Sequence, residues 1–390
     1  MSRRAGATLL VAAVVSLAAY SGAVAAAEGR KPRAVIYYDA QGNVVRQEID
    51  TAGAGRVNLW VYYEGGQMVR QEEDTVGDGK PHVWSFFQSG RLARQEVDRR
   101  GQGQPDVWYE LDATGTVVRK SEDTTGRGRR DLVVEYQGGV PARSEQDLDG
   151  DDRPDRFLVF TAGRLARLEE ATHRDGRIDL WVTFDDKGER TREERRTPGR
   201  DAADSVAYYE GGVLARLEED PSGSGRASRW SYFTAGELVR VEEDRNGDGR
   251  PDVWVTFAQG KRVRQAEDRD FAGRATVLYY FENEELARME ERSTGDGPPE
   301  LVTYYAHGQI TRKEHDTKRA GRFDMISYFE NGTLTRQEVQ TSCPDRLDVW
   351  VYYQDGKRIR QDEDQDCDGV ADVRYFFENG SVVRREGKRE

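Results

Sequence analysis

Three stretches of the chain space their oxygen-bearing side chains as a cation site would. They follow D-x-[DN]-x-D-[GD]-x-x-D: Asp147, Asp149, Asp151 and Asp155; Asp244, Asn246, Asp248 and Asp252; Asp364, Asp366, Asp368 and Asp372. Oxygens at alternate positions around a sharp turn at position six wrap one side of a hard divalent cation, and calcium, which takes about six to eight oxygens in flexible geometry, suits the pattern. Position twelve, where a bidentate carboxylate would close the shell, is Leu158, Val255 or Tyr375, so weak affinity is expected. Asp74, Asp78 and His82 form a partial fourth set. Turn formation competes with metal binding as the reason for these residues. Eleven of the fourteen equivalent loops keep glycine at position six, although most lack ligands at positions three and five; after Asp98 those positions are Arg100 and Gln102. Glycine, or the Asp at 152, 201 and 345, is expected there because the backbone needs a positive φ.

Two other residue sets carry chemistry. Cys343 and Cys367 are the only cysteines and stand one repeat apart, which in an exported protein points to a disulfide joining the last two loops. Equivalent residues of successive hairpins in a meander lie about 9.6 Å apart, whereas a disulfide spans roughly 4.4–6.8 Å between Cα atoms, so the loops must lean together. Trp60, Trp84 and Trp108, with adjacent tyrosines, are the candidates for stacking on sugar rings, although the first use of such rings in a thin sheet is packing. No copy of the repeat gains a nucleophile, base or metal triad that the others lack, and His82, His173, His307 and His315 fall in different copies. The chain is therefore expected not to be an enzyme.

The elements that position these residues come from one repeat. Arginine recurs at 46, 70, 94, 119, 143, 167, 192, 216, 240, 264, 288, 312, 336, 360 and 384, with twelve intervals of 24 residues and two of 25. Each unit reads as strand, tight turn, strand and longer loop, because β-branched and aromatic runs flank Gly-Gly, Asp-Gly, Asn-Gly or Ser-Gly. With Asn331-Gly332 as a two-residue turn, the register predicts Glu330 opposite Thr333, Phe329 opposite Leu334, Tyr328 opposite Thr335 and Ser327 opposite Arg336. The position of Phe329 is aromatic in fourteen of fifteen units, and all seven tryptophans fall three residues earlier, on the opposite face. A parallel solenoid would align fifteen arginines at about 4.8 Å, whereas an antiparallel meander interposes another side chain. The expected fold is all-β: tandem 24-residue hairpins in one long twisted antiparallel meander, superhelical or curled.

Composition bounds the rest. Hydrophobic residues make up 36% of the 390 and charged residues 34%, too few and too many for an ordinary two-layer core, while 10% aromatics argue against disorder. A formal charge of −13 opposes nucleic-acid binding. Arg3 and Arg4, an apolar stretch from Ala7 to Ala19 and small residues through Ala25 read as a secretory signal over 1–27, leaving one repeat domain over 28–390. No transmembrane segment is expected after it, and the implied location is periplasmic, secreted or cell-surface.

The run Tyr-Tyr-x-x-Gly-x-Leu-x-Arg-x-Glu resembles bacterial aromatic hairpin repeats over residues 34–387. Tyr328-Phe-Glu-Asn-Gly-Thr-Leu334 is similar in layout to MORN and YwqK-type repeats, and Gly90-Arg-Leu92 and Gly163-Arg-Leu165 resemble the core of YD or RHS repeats. Trp60-Val-Tyr-Tyr63 and Trp350-Val-Tyr-Tyr353 are similar to choline- and glucan-binding hairpins. The acidic loops resemble the first part of an EF-hand loop and, still more, the tandem extracellular calcium loops of dockerin and thrombospondin type 3 repeats. The expected role is a non-enzymatic scaffold that binds a protein or its own copies and carries weak calcium loops; the alternative is a glycan-binding module of the cell wall or surface.

Overall fold

The computed structural model describes residues 33–294 and 297–387. The expected signal segment over 1–27 lies outside the described residues. The chain divides into two compact units, the first ending at Asp152 and the second beginning at Arg153. The described residues contain thirty β-strands, β1 to β30, and no helix that is long and apolar enough to cross a membrane. The first unit holds five hairpins, from β1 (Arg33–Tyr38) and β2 (Val44–Asp50) to β10 (Val140–Gln146); the second holds ten, from β11 (Arg156–Thr161) to β30 (Ser381–Gly387). Within each unit every strand pairs antiparallel with the next, as β2 does with β3 (Leu59–Glu64) and β3 with β4 (Gln67–Glu73).

The turns follow from residue type. Asn331 and Gly332 both have positive φ, 48° and 77°, as do Gly65 with Gly66 and Ser89 with Gly90. This is the two-residue primed geometry whose twist matches that of the flanking strands. The two 25-residue units place their extra residue in the turn, as their sequences imply: the Asp112 carboxylate accepts the N–H groups of Thr114 and Thr116, at 2.8 and 3.0 Å, and Asp185 does the same for Lys187 and Glu189. The first hairpin also closes through a longer turn, around Asp39.

The expected register holds only beside the turn. Between β25 (Met325–Glu330) and β26 (Thr333–Val339), Glu330 faces Thr333 and Phe329 faces Leu334, but Tyr328 faces Arg336 and Ser327 faces Gln337. Thr335 is an extra, unpaired residue. Each of the fifteen hairpins among the described residues carries a shift at the same place, including Val69 in the hairpin of β3 and β4. A repeated β-bulge of this kind strengthens local twist and re-aims the side chains beyond it.

The bulge sets arginine against an aromatic ring. Arg46 lies 5.6 Å from the ring centroids of both Tyr37 and Tyr62; Arg70 lies 5.4 Å from Tyr62 and 5.8 Å from Phe86; Arg94 lies 4.1 Å from Phe86. Successive arginines are thus separated by rings, each contact contributing roughly 0.5–1 kcal/mol at exposed sites. Two residues along the same strand, a glutamate pairs with the arginine and accepts the tyrosine hydroxyl. Arg240 lies 3.1 Å from Glu242, and the Tyr232 hydroxyl donates to Glu242 at 3.0 Å. The opposite face buries small residues such as Val61, Ser85, Val182 and Ser231. Among the described residues, buried polar and charged ones outnumber buried apolar ones, so the interior is wired by hydrogen bonds as much as packed.

Candidate metal loops

Two carboxylates build each typical loop between hairpins. The first stands at position one, just after the second strand, and accepts backbone N–H groups from positions four to six. Asp244 receives Gly247 at 2.7 Å on one oxygen and Gly249 at 2.8 Å on the other. Asp123 receives Gly126 at 2.6 Å and Gly128 at 2.7 Å, and Asp220 receives Gly223 at 2.9 Å and Gly225 at 2.7 Å. The second carboxylate, at position nine, closes the near side. Asp252 receives the N–H groups of Arg245 and Asn246 at 2.8 and 3.1 Å, and Asp131 those of Thr124 and Thr125 at 2.8 and 3.0 Å. Position nine also continues the ladder, since Asp252 N–H donates to the Glu243 carbonyl and Asp268 N–H to the Asp252 carbonyl.

These bonds favour the ionised carboxylate. Burial alone would raise the pKa of Asp74, Asp98 and Asp123, but the N–H groups of Gly79 and Gly77, of Gln102 and Gly103, and of Gly128 and Gly126 outweigh it and hold each below the ordinary carboxylate range. Asp98 heads a loop without the full ligand set, yet it receives Gln102 and Gly103 at 3.1 and 2.6 Å. Turn wiring therefore accounts for the end carboxylates in ligand-rich and ligand-poor loops alike.

The need for positive φ falls at position four as well as at position six. Gly247 and Gly249 have φ of 79° and 92°; Phe271, Arg319 and Cys367 take 56°, 53° and 65° at position four. Asp152 has the expected positive φ at position six, 69°, whereas Asp201 and Asp345 do not. Their loops begin with Arg196 and Gln340 in place of the carboxylate, although the loop that begins at Ala171 also lacks it and still has positive φ at Arg174 and Gly176.

The interior ligands are what distinguish the three acidic loops. In the last, Asp364, Asp366 and Asp372 bring one carboxylate oxygen each to within 4.8 Å of one another, a cluster able to hold a metal ion; Asp368 stands outside this trio. In the middle loop, Asp248 N–H donates to the Asn246 side-chain oxygen at 2.8 Å and the Asn246 amide donates to Asp248 at 3.2 Å, so the interior pair turns upon itself. In the first, Asp147 receives Gly150 and Asp152 at 2.6 and 2.9 Å, and Asp149 receives Asp151 at 3.0 Å. Asp155, almost fully buried, belongs to the second compact unit.

Sequence reasoning missed a set of cations that tie loop to loop. Arg100 donates to the Thr124 carbonyl at 2.8 Å, Arg127 to the Asp149 carbonyl at 3.0 Å and Lys318 to the Gln340 carbonyl at 3.0 Å. Arg100 and Lys318 stand at position three, where the acidic loops have Asp or Asn; a basic residue there was the available signal. The final pair of loops is joined covalently instead. Cys343 and Cys367 are disulfide-bonded with their Cα atoms 5.6 Å apart, well inside ordinary meander spacing, so these loops do lean together. Of the tryptophans, Trp60 and Trp84 are half-buried, and Arg130 sits 4.4 Å over the Trp108 ring.

No protein-family model matches the chain, and no curated protein matches it. Among solved structures, it is similar to accessory secretory protein 1, 2 and 3 of Streptococcus pneumoniae at 20% identity and a TM-score of 0.20, covering 25% of this chain and 20% of that one. It is similar to the glycosylation-associated Gap123 complex of Streptococcus agalactiae at 21% identity and a TM-score of 0.17, covering 28% of this chain and 18% of that one. For the TcdB2-TccC3-TEV structure the values are 12% and 0.19, with 90% of this chain and 20% of that one covered. The chain thus spans about a fifth of the length of each. Likeness at this level carries no argument about fold or function.

Proposed function

We propose that the chain is a non-enzymatic exported scaffold, periplasmic, secreted or at the cell surface, whose sheet binds a protein partner or further copies of itself and whose acidic loops bind calcium weakly. The observation that carries this reading is uniformity. Fifteen hairpins share one bulge, twelve of them one turn-proximal register, and typical loops share one carboxylate wiring, which makes a repeated surface. Self-association is supported by the first and last of the described strands. β1 is exposed along its length, with Val35, Ile36, Tyr37 and Tyr38 42–59% exposed, and β30 exposes Val382 and Val383. Exposed apolar edge strands are templates for pairing with another chain.

Light scattering of the exported chain over a concentration series tests the self-association arm. The expected result is a mass that rises with concentration and is held at monomer by Ile36→Lys. A monomer throughout removes self-association and leaves only the protein-partner arm. The glycan alternative rests on Trp60 and Trp84, half-buried and repeated on alternate strands. Saturable carbohydrate binding in a tryptophan-fluorescence titration, lost in Trp84→Ala, would replace the scaffold reading.

A further inference from the structure

The loop from Asp74 to His82 breaks the shared wiring at one residue. Where Asp131, Asp252 and Asp372 accept N–H groups from positions two and three, the loop ends in an imidazole, and Val76 N–H donates instead to Asp74 at 3.2 Å. His82 is only 5% exposed, and its Nδ1 is buried with no hydrogen-bond partner. That ring is aimed between two carboxylates. Nδ1 lies 3.6 Å from Asp74 Oδ1, and Nε2 lies 3.7 Å from Asp78 Oδ2.

We propose that Asp74, Asp78 and His82 form a site for a borderline divalent transition-metal ion of the zinc or cobalt class, chemically distinct from the oxygen-only acidic loops. The proposal is independent of the scaffold reading. Both separations exceed hydrogen-bond length. Each suits two ligands flanking a cation, because metal–ligand bonds of about 2.0–2.2 Å at tetrahedral angles put neighbouring ligands roughly 3.4 Å apart, and the ring would give one ion one of its two nitrogens. One ligand atom from each of the three residues lies within 4.8 Å of the others.

The donors have capacity to spare. Asp74 accepts Val76 and Gly77 N–H on Oδ1 and Gly79 N–H on Oδ2, so of about four acceptor positions on an ionised carboxylate the one left for a cation is on Oδ2. Asp78 accepts Lys80 N–H on Oδ1, while Oδ2 is the oxygen nearest His82. Imidazole nitrogen with two carboxylate oxygens selects zinc, cobalt, nickel or copper over calcium, whose preference is for oxygen throughout. Two negative charges and a neutral imidazole balance a divalent ion. The Asp78 side chain is 48% exposed, which gives the ion an entry path and a water its remaining position.

The test is a cobalt titration of the untagged full chain, stripped with chelator, disulfide intact and saturated with calcium so that the acidic loops do not compete. Visible d–d absorption should saturate at one ion per chain and be displaced by zinc. His82→Asp places at position nine the residue most other loops carry, so it should keep the circular dichroism of the parent while affinity for cobalt falls by more than the roughly 10–100-fold that losing a supporting hydrogen bond costs. His173→Ala should leave the bands unchanged. The proposal is overturned if no band appears at millimolar cobalt, if His82→Asp retains the bands, or if His173→Ala removes them.

Discussion

The loop from Asp98 to Asp106 and the loop from Asp244 to Asp252 fold alike and differ in where positive charge comes from. Both are pinned by a position-one carboxylate on Gly103 or Gly249 and by a position-nine carboxylate on the N–H of Arg99 or Arg245. The first carries its own cation: Arg100 lies 3.7 Å from Asp106 and reaches Thr124 in the next loop. The second places Asn246 and Asp248 at positions three and five, exposed and bonded to each other. The comparison separates two uses of aspartate that the sequence motif merges. End carboxylates make the turn in every such loop, whereas the interior ones are what set the acidic loops apart and, with the end pair, are the oxygens proposed to meet a cation.

The largest effect expected concerns the pair of loops whose tie is covalent. Cys343→Ser should cost about 3 kcal/mol for a disulfide with a sequence separation of 24, read as faster hydrogen exchange from 340 to 372 and little change around Asp98. Next, Asp98→Ala and Asp244→Ala should cost about the same without metal, roughly 1–3 kcal/mol each for the orphaned glycine N–H groups, by local exchange or denaturant. With calcium present, Asp244→Ala should become the costlier of the two.

Acid provides a third contrast. Burial would raise Asp98, Asp147 and Asp220, but backbone N–H groups, preceded at Asp220 by the Ser222 hydroxyl, outweigh it and hold all three below their ordinary range. A depressed folded-state pKa means that stability is fully present above the unfolded value of about 3.9 and is lost as pH falls through the folded one. These loops should therefore keep their protection at pH 5 and lose it below about pH 4, with or without calcium at the Asp98 loop. The smallest effect should be Arg100→Gln, which removes a half-exposed tie and costs up to about 1 kcal/mol, more at low salt than at high. Thermal melts across a salt series check it.

How much of this was legible depended on whether a residue had one role or two. The hairpins could be read because Asn331-Gly332 and Phe329 opposite Leu334 are each explained by local sterics and pairing. The bulge could not be read by alternation alone, since adjacent apolar pairs such as Met68-Val69 and Val382-Val383 cannot share a face unless one residue is extra. That adjacency was its signal. In the loops, position six was legible from glycine, but position four was hidden because residues other than glycine, such as Phe271, Arg319 and Cys367, adopt positive φ there. Spacing placed His82 with Asp74 and Asp78, but its burial and its unpartnered nitrogen are visible only in the fold.

The measurement that most directly tests the division between end and interior carboxylates is residue-resolved hydrogen exchange on the full chain, in chelator and then at millimolar calcium. Calcium should slow exchange within 244–252 and 364–372, leave 98–106 unchanged, and leave the strands and β-rich circular dichroism intact in its absence, since repeat stability sums local terms. Equal protection of all loops, no protection of any, or collapse of the strands on chelation would contradict the account.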